Sequence, residues 1–415
     1  MRTLACAGVL AASLTLAACG GSGDAIPVTQ AVRDAQTLKA VPIDPTPSPT
    51  PNPGLLGGLL GGVLGIVGGL TCGLTSLTCH VIQGAGPQGQ SAGTPANALA
   101  GYHPSDLQSA YDLPSSSAGV GETIGIAVAN DDPSLEADLA VYRKTFGLPT
   151  CTTANGCFKK IENGAVSPDQ GWGQEASIDV QMASAICPQC KIVVVEAPAA
   201  TDTALLAAAK VAVANGATVV SDSYSLAESA SEDDAAYAIG VPFVFGAGDS
   251  GAGAQWPAAS SHVIAVGGTS LHRDTSARGW SETVWSGSGG GCSKYVAKPA
   301  WQHDGGCANR TANDISAYAD PNPGVAVYDS YLSQKPGWRT YGGTSVAAPI
   351  VAGAIALAGN GRTALLDASF IYAHTGALNP ITSGKTGTCG TYLCGAADGY
   401  SAPAGNGSPR GIGAL

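Results

Sequence analysis

Charge of either sign, and positive charge above all, is scarce in this sequence. The 19 Lys+Arg are outnumbered by 30 Asp+Glu, giving a formal net charge of -11, and no stretch gathers them into a stripe that could follow phosphates. Nucleic acid is therefore not an expected partner. Charged residues amount to 12% and histidines to six, so little self-repulsion would build up as carboxylates protonate. Such a composition is compatible with work at acid pH. No internal repeat is evident. Past the N-terminus, the best candidate for a membrane span is Gly54 to Leu70, which is 17 residues long and nearly half glycine, short and weak for that role. Its glycines recur every fourth residue, a spacing that would suit helix packing in a membrane, but a flexible spacer is the preferred reading. What is plentiful is apolar material: 45% of 415 residues, ample for a large core.

The N-terminus reads as an export signal over residues 1–18, with Arg2 before the apolar run Leu4 to Leu16. Leu16-Ala17-Ala18-Cys19 resembles a bacterial lipobox, and Leu16 is too large for an ordinary signal-peptidase site. The expectation is a lipid on Cys19, giving an envelope lipoprotein or, failing that, an extracellular enzyme. Residues 19–98, Pro-rich and then Gly/Leu-rich, read as a tether rather than an ordinary folded domain. Ten further cysteines fall as nearest neighbours: Cys72/Cys79, Cys151/Cys157, Cys187/Cys190, Cys292/Cys307 and Cys389/Cys394. Local disulfides in an oxidising compartment follow. Cys187-Pro188-Gln189-Cys190 is open to a redox or zinc reading, but the second half of a zinc site is missing.

From Tyr102 the texture changes to apolar runs alternating with helical patterns, which predicts an α/β domain with a parallel sheet over residues 99–415. Strands are expected at Thr123 to Ala129, Lys191 to Glu196, Thr218 to Ser221, Pro242 to Phe245 and Val263 to Val266. Helices are expected at Ser134 to Phe146, Gly173 to Ala185 and Asp202 to Asn215. Catalytic loops would then lie at the strand C-terminal ends.

Gly342-Gly343-Thr344-Ser345 runs straight into the apolar helix Ile350 to Leu357. Glycines permit a tight turn, and the helix N-terminus offers N–H groups to an oxyanion, so Ser345 is placed for acyl chemistry; a plain N-cap is the alternative. The second copy, Gly267-Gly268-Thr269-Ser270, lacks the following apolar helix and reads as a strand end. Glu175 and Asp179 lie four apart on one face of a predicted helix. Buried, they would share a proton and serve as a base and its holder; exposed, they would be an ordinary solvated pair. Asp249, in a glycine-flanked loop after a buried strand, could donate from its protonated form to an oxyanion or merely brace a turn.

In order and context these residues resemble the sedolisin, or serine-carboxyl peptidase, family from about Ala98 to Leu415. The similarity extends through Trp256-Pro257-Ala258-Ala259-Ser260, Ser288-Gly289-Gly290-Gly291-Cys292-Ser293 and Ala319-Asp320-Pro321-Asn322-Pro323. It implies a subtilisin-like three-layer fold, with a mainly parallel central sheet flanked by helices, and endopeptidase activity at acid pH on protein or peptide substrates. By it Ser345 is the nucleophile, Glu175 the general base, Asp179 its partner and Asp249 the oxyanion donor. Ser221, Ser223, Tyr224 and Ser225, with Gly343 and Thr344, would line the substrate.

Three departures stand out. The family's C-terminal calcium site uses two carboxylates at positions that here are Pro380 and Ser401, so no metal or cofactor is expected. The family's folded prodomain has no counterpart in residues 20–98. Ser225 stands where glycine is usual and would narrow a specificity pocket. A monomer is expected. Two rivals remain: a subtilisin-type enzyme using one of His80, His103, His262, His272, His303 or His374, none in the expected His-Gly helix start, and an inactive relative serving as a surface binding or adhesion protein.

Overall fold

A computed structural model describes residues 77–79, 81–331, 336–359 and 363–415. The first two strands are short, β1 (Thr78–Cys79) and β2 (Ile82–Gln83), and helix α1 (Pro104–Ala110) follows. The central sheet opens with β3 (Thr123–Ala129), whose seven residues are all buried, as expected of a β-branched run covered on both faces. Helix α2 (Leu135–Thr145), β4 (Phe158–Glu162), α3 (Gln170–Ile186), β5 (Lys191–Ala197), α4 (Asp202–Ala214), β6 (Val219–Asp222), β7 (Tyr224–Ser225) and β8 (Phe243–Gly246) come next. The remaining elements used below are β9 (Ile264–Arg273), β10 (Trp280–Val284), β11 (Gly291–Ala297), β12 (Asn309–Ala312), β13 (Ile315–Tyr318), β14 (Val325–Asp329), β15 (Gly337–Gly342) and α5 (Thr344–Ala358).

The strand order β10-β9-β8-β6-β3-β5-β4, with β13 also on β9, makes an eight-stranded sheet. It is parallel except for β10, which runs antiparallel on β9. Consecutive parallel strands need crossovers, and the helices supply them while covering the sheet. Helix α4 lies over β3 at Gly125, where an added Cβ would come within 2.9 Å of Ala212 and Ala217. Helices α3 and α5 pack on each other, and α5 rests on β6, β8, β9 and β13. Their contact is close because Gly353 has no side chain: a Cβ there would stand 2.8 Å from Ile186. This approach holds two segments almost 170 residues apart side by side.

The five expected sheet strands and all the expected helices are present, with small shifts of boundary except that the strand expected to end at Val266 runs on to Arg273. The Gly267–Ser270 copy lies inside β9 rather than at a strand end, paired with β10 and β13. Residues 77–98, assigned above to the tether, belong in part to the folded body. β1 pairs with β7, β2 with β15, and Leu77, Val81 and Ile82 are buried. Two-residue strands added to existing edges leave no periodicity, so composition misassigned them. The export signal, Cys19, Cys72 and the Gly54–Leu70 run lie outside the described residues.

Candidate active site

Helix α3 is capped by Asp169, whose carboxylate accepts from the Trp172 N–H, and every residue from Trp172 to Ile186 is buried. Glu175 and Asp179, one turn apart, are therefore both sealed from water, at 1% and 0% exposure. The solvated-face alternative does not hold. Burial raises Glu175 well above the usual carboxylate range, and the neighbouring Asp179 and Asp249 raise it further; hydroxyls of Ser345 and Ser223 oppose. Burial likewise raises Asp179, against the Ser223 hydroxyl, which donates to its Oδ1 at 2.7 Å. Two acids in one dry pocket cannot both ionise cheaply, so ionisation of one opposes ionisation of the other.

Ser345 occupies the first turn of α5 and is buried. The turn before it needs glycine, since Gly343 caps the helix at φ 107°. Pro349 lies four residues on and has no N–H, so the Ser345 carbonyl loses its helical donor. The Ser345 hydroxyl and both Glu175 oxygens lack a hydrogen bond of good geometry. The hydroxyl is nonetheless close enough to favour Glu175 in its ionised form. An open pair of this kind is usual without substrate.

Asp249 follows β8. Its Oδ1 accepts from the Thr344 N–H at 2.7 Å and from the Thr344 hydroxyl at 2.9 Å, while Oδ2 is buried with no partner. Thr344 Oγ1 also accepts from the Gly248 N–H at 3.1 Å, which fixes the loop against the start of α5. Burial pushes Asp249 up to about 7 although both Thr344 bonds pull the other way. Below that pH the free oxygen carries a proton it can donate.

Glu175, Asp179, Asp249 and Ser345 are thus drawn from α3, the β8 loop and α5 into one buried cluster. Asp222 joins them. It is fully buried at the end of β6, accepts from the Ala127 N–H at 3.1 Å, and is raised by burial and then by Asp179. It was missed above because its stretch was read as substrate-lining. Ser221 lies within β6, paired to β3 and β8, with its side chain buried. Ser223 turns to Asp179, and the Tyr224 hydroxyl to Asp202 at 2.9 Å. Ser225 donates to Gln255 at 2.5 Å. The Tyr224–Ser225 backbone pairs with β1.

The histidines among the described residues are held elsewhere. His103 caps α1 against Phe146, His262 sits beside Asp234, His272 on β9 pairs with Ser281 of β10, His303 faces the Trp301–Tyr372 pocket, and His374 stacks on Phe370. Cys151–Cys157, Cys187–Cys190, Cys292–Cys307 and Cys389–Cys394 form the expected disulfides, and Cys79 is disulfide-bonded. The CxxC pair is therefore neither a dithiol nor a zinc half-site. At the two positions where the resemblance places calcium carboxylates the donors are poor: Pro380 offers no side-chain oxygen, Ser401 a single neutral hydroxyl, and Ile381 packs with Val284 and Ala404. Among the described residues no group of three His, Cys, Asp or Glu could hold a metal, and no helix is long and apolar enough to cross a membrane.

A family model described as the subtilase family matches residues 163–369. Kumamolisin of Bacillus sp. (strain MN-32) is 31% identical over 293 residues, covering 61% of this chain and 51% of that protein. Sedolisin of Pseudomonas sp. (strain 101) is 28% identical over 300 residues, covering 62% and 50%. This chain spans about half the length of the curated relatives it matches. Among solved structures, Pseudomonas sedolisin (serine-carboxyl proteinase) in complex with pseudo-iodotyrostatin superposes with a TM-score of 0.64 at 27% identity, over 75% of this chain and 96% of that one. A lanthipeptide protease shares the fold alone, at a TM-score of 0.51 and 15% identity, over 80% and 99%. With its mainly parallel α/β core and these relatives, the chain belongs to the sedolisin, or serine-carboxyl peptidase, family.

Proposed function

We propose that this protein is an exported serine-carboxyl endopeptidase that works at acid pH. The carrying observation is the burial of Glu175 and Asp179 beside the Ser345 hydroxyl, with no described imidazole in reach. Glu175 takes the proton of Ser345 as Oγ attacks the scissile carbonyl. Asp179 holds the second proton of the pair and is itself fixed by Ser223. The developing oxyanion is met by the proton on Asp249 Oδ2. Glu175 then protonates the leaving amine, and water hydrolyses the acyl-enzyme by the same route reversed. No cofactor takes part, and the donor set at Pro380 and Ser401 does not fit a calcium ion. Cys19 carries a lipid that holds the enzyme at the envelope; substitution Cys19→Ser should move the protein from the membrane fraction to the soluble one.

The test of the chemistry is digestion of a peptide library across pH. Wild type should cleave well below pH ~6.5, where an ordinary imidazole base is protonated. Ser345→Ala should show no turnover, and Glu175→Gln should lose about 10²–10⁴ in kcat. Activity that fails below that pH, or that survives Glu175→Gln, would refute the carboxylate base. A wild type that cleaves nothing at any pH would favour the binding-protein rival.

A further inference from the structure

Ser225 and Gln255 meet beside the loop that carries Asp249. Side chains alternate along an extended chain, so Ser225 leaves its backbone on the same face as Ser223, which bonds to Asp179. The Ser225 hydroxyl donates to Gln255 Oε1 at 2.5 Å. The backbones behind the two side chains are tied as well, because Leu226 and Trp256 exchange N–H···O bonds of 2.8 and 3.0 Å. The Gln255 carboxamide therefore has a fixed place, and that place is against Gly248. A Cβ on Gly248 would stand 2.3 Å from Gln255 Oε1 and 2.9 Å from its Cδ. Gly248 immediately precedes Asp249, and its N–H donates to Thr344 Oγ1 at the start of α5. From another direction the Gly289 N–H donates to the Gly248 carbonyl at 2.7 Å. Gly248 and Gly289 bring no side chain to this place, and the Gln255 carboxamide occupies it. In the mechanism proposed above, the scissile carbonyl oxygen meets Asp249 Oδ2. The Cβ of the residue that owns this carbonyl is then about 3 Å from that oxygen, by ordinary bond lengths. Its side chain starts beside the Gly248–Asp249 backbone, where the carboxamide lies, and has little room to lengthen.

We propose that the Ser225–Gln255 pair restricts the enzyme to substrates with a small side chain, that of glycine, alanine or serine, on the acyl side of the scissile bond. This rests on the peptidase reading above. Gln255 is the specificity-determining residue, and Ser225 is the positioning residue that holds it. A bulkier side chain can enter only by displacing the carboxamide, which breaks the Ser225 bond. The misfit is felt where the carbonyl has to reach Ser345 Oγ and Asp249 Oδ2 together, so it appears in kcat/KM of the acylation step. A glycine at position 225 would have no hydroxyl to donate and would leave Gln255 free to swing aside. The serine that departs from the usual residue thus has a definite task, which is to keep the carboxamide over Gly248.

The experiment digests a peptide library with the full chain at pH about 3 and sequences the products, then measures kcat/KM for one cleaved peptide and for its counterpart carrying phenylalanine on the acyl side. Wild type should cut after glycine, alanine or serine. One methylene too many in a fitted pocket costs about 10–200-fold, so phenylalanine should cost about 10² or more. Gln255→Ala should reduce that discrimination at least tenfold, mainly by raising kcat/KM for the phenylalanine peptide. Ser225→Gly should move it the same way and serves as the second variant where Gln255→Ala melts early. Gln255→Glu, isosteric and largely protonated at this pH, should keep the preference. A wild type that cuts after large residues, or that treats the two peptides alike, overturns the proposal while the peptidase reading stands. Discrimination unchanged in both Gln255→Ala and Ser225→Gly overturns it equally. If wild type cuts no member of the library, the peptidase reading fails and this proposal with it.

Discussion

Asp249 offers the most discriminating perturbation of this site, because its two oxygens have separate tasks. Oδ1 is committed to the Thr344 N–H and hydroxyl, and Oδ2 is buried and open. In Asp249→Asn the amide oxygen can keep both Thr344 bonds while the NH₂ takes the Oδ2 position. That donor does not titrate. In Asp249→Ala both functions vanish. Removing one oxyanion donor costs about 10²–10³ in kcat, or roughly 3–4 kcal/mol.

Wild-type Asp249 titrates near 7, raised by burial. If its neutral form is the proposed donor, activity should be full below that value and fall as pH rises through it. Two units above, only about 1% of molecules keep the proton, a loss of about 10² in kcat. Asp249→Asn should stay within about tenfold of wild type at acid pH, while Asp249→Ala loses about 10²–10³. The alkaline limb of kcat should weaken or move upward in the Asn variant. The assay is steady-state hydrolysis of a fluorogenic peptide across pH, with melting curves to confirm folding. An Asn variant as inactive as Ala, or one whose alkaline limb matches wild type, would refute the donor role.

Two further outcomes follow from the same electrostatics. A second group of buried acids tightens the loop after β3: burial raises Asp132 to about 7, and Glu196 and Asp329 to about 6. Carboxyls raised in the folded state stabilise it fully below about pH 4 and lose that contribution as pH climbs through 6–7. For Asp132, 2% exposed and shifted from 3.8, this is roughly 4 kcal/mol as an upper bound. Melting temperature should therefore fall from pH 4 to pH 8, and by less in Asp132→Asn; a flat wild-type curve would contradict it. Chelator should leave the melting temperature unchanged and added Ca²⁺ should not raise it, since Pro380 and Ser401 supply no carboxylate. A chelator-induced drop restored by Ca²⁺ would overturn that reading.

How much of the site was legible depended on how far each feature reaches along the chain. Ser345 and Asp249 sit in glycine-marked turns, where a few adjacent letters dictate a backbone that only glycine tolerates. Glu175 and Asp179 announced a shared face through their spacing, but not whether water reaches it. That is decided by the packing of α5 on α3, a contact between distant segments. Asp222 was invisible as a participant because only the third dimension brings it to Asp179. β4 was missed because a half-exposed edge strand reading Phe-Lys-Lys-Ile-Glu carries little apolar signal. The body's true N-terminal reach escaped for a related reason: strands of two residues borrow their order from the edges they join.

Placing four carboxyls at the end of β6 and β8 would be ruinous if all were ionised, since a dry pocket cannot hold that charge. The arrangement is workable because each acid is needed in a defined protonation state. In the mechanism proposed above, turnover requires Asp249 neutral and the Glu175–Asp179 pair carrying a single proton. The pair loses its two protons in widely spaced steps, because the second must leave against the charge created by the first. The singly protonated state therefore spans a broad interval, favoured at its lower end by the Ser345 and Ser223 hydroxyls. Its useful upper edge is set by Asp249, near 7. An imidazole at the base position would be charged over much of that interval and could accept no proton. On that proposal, carboxylates in place of histidine would shift the whole catalytic cycle, and the stability of the α3–α5 contact around it, toward acid.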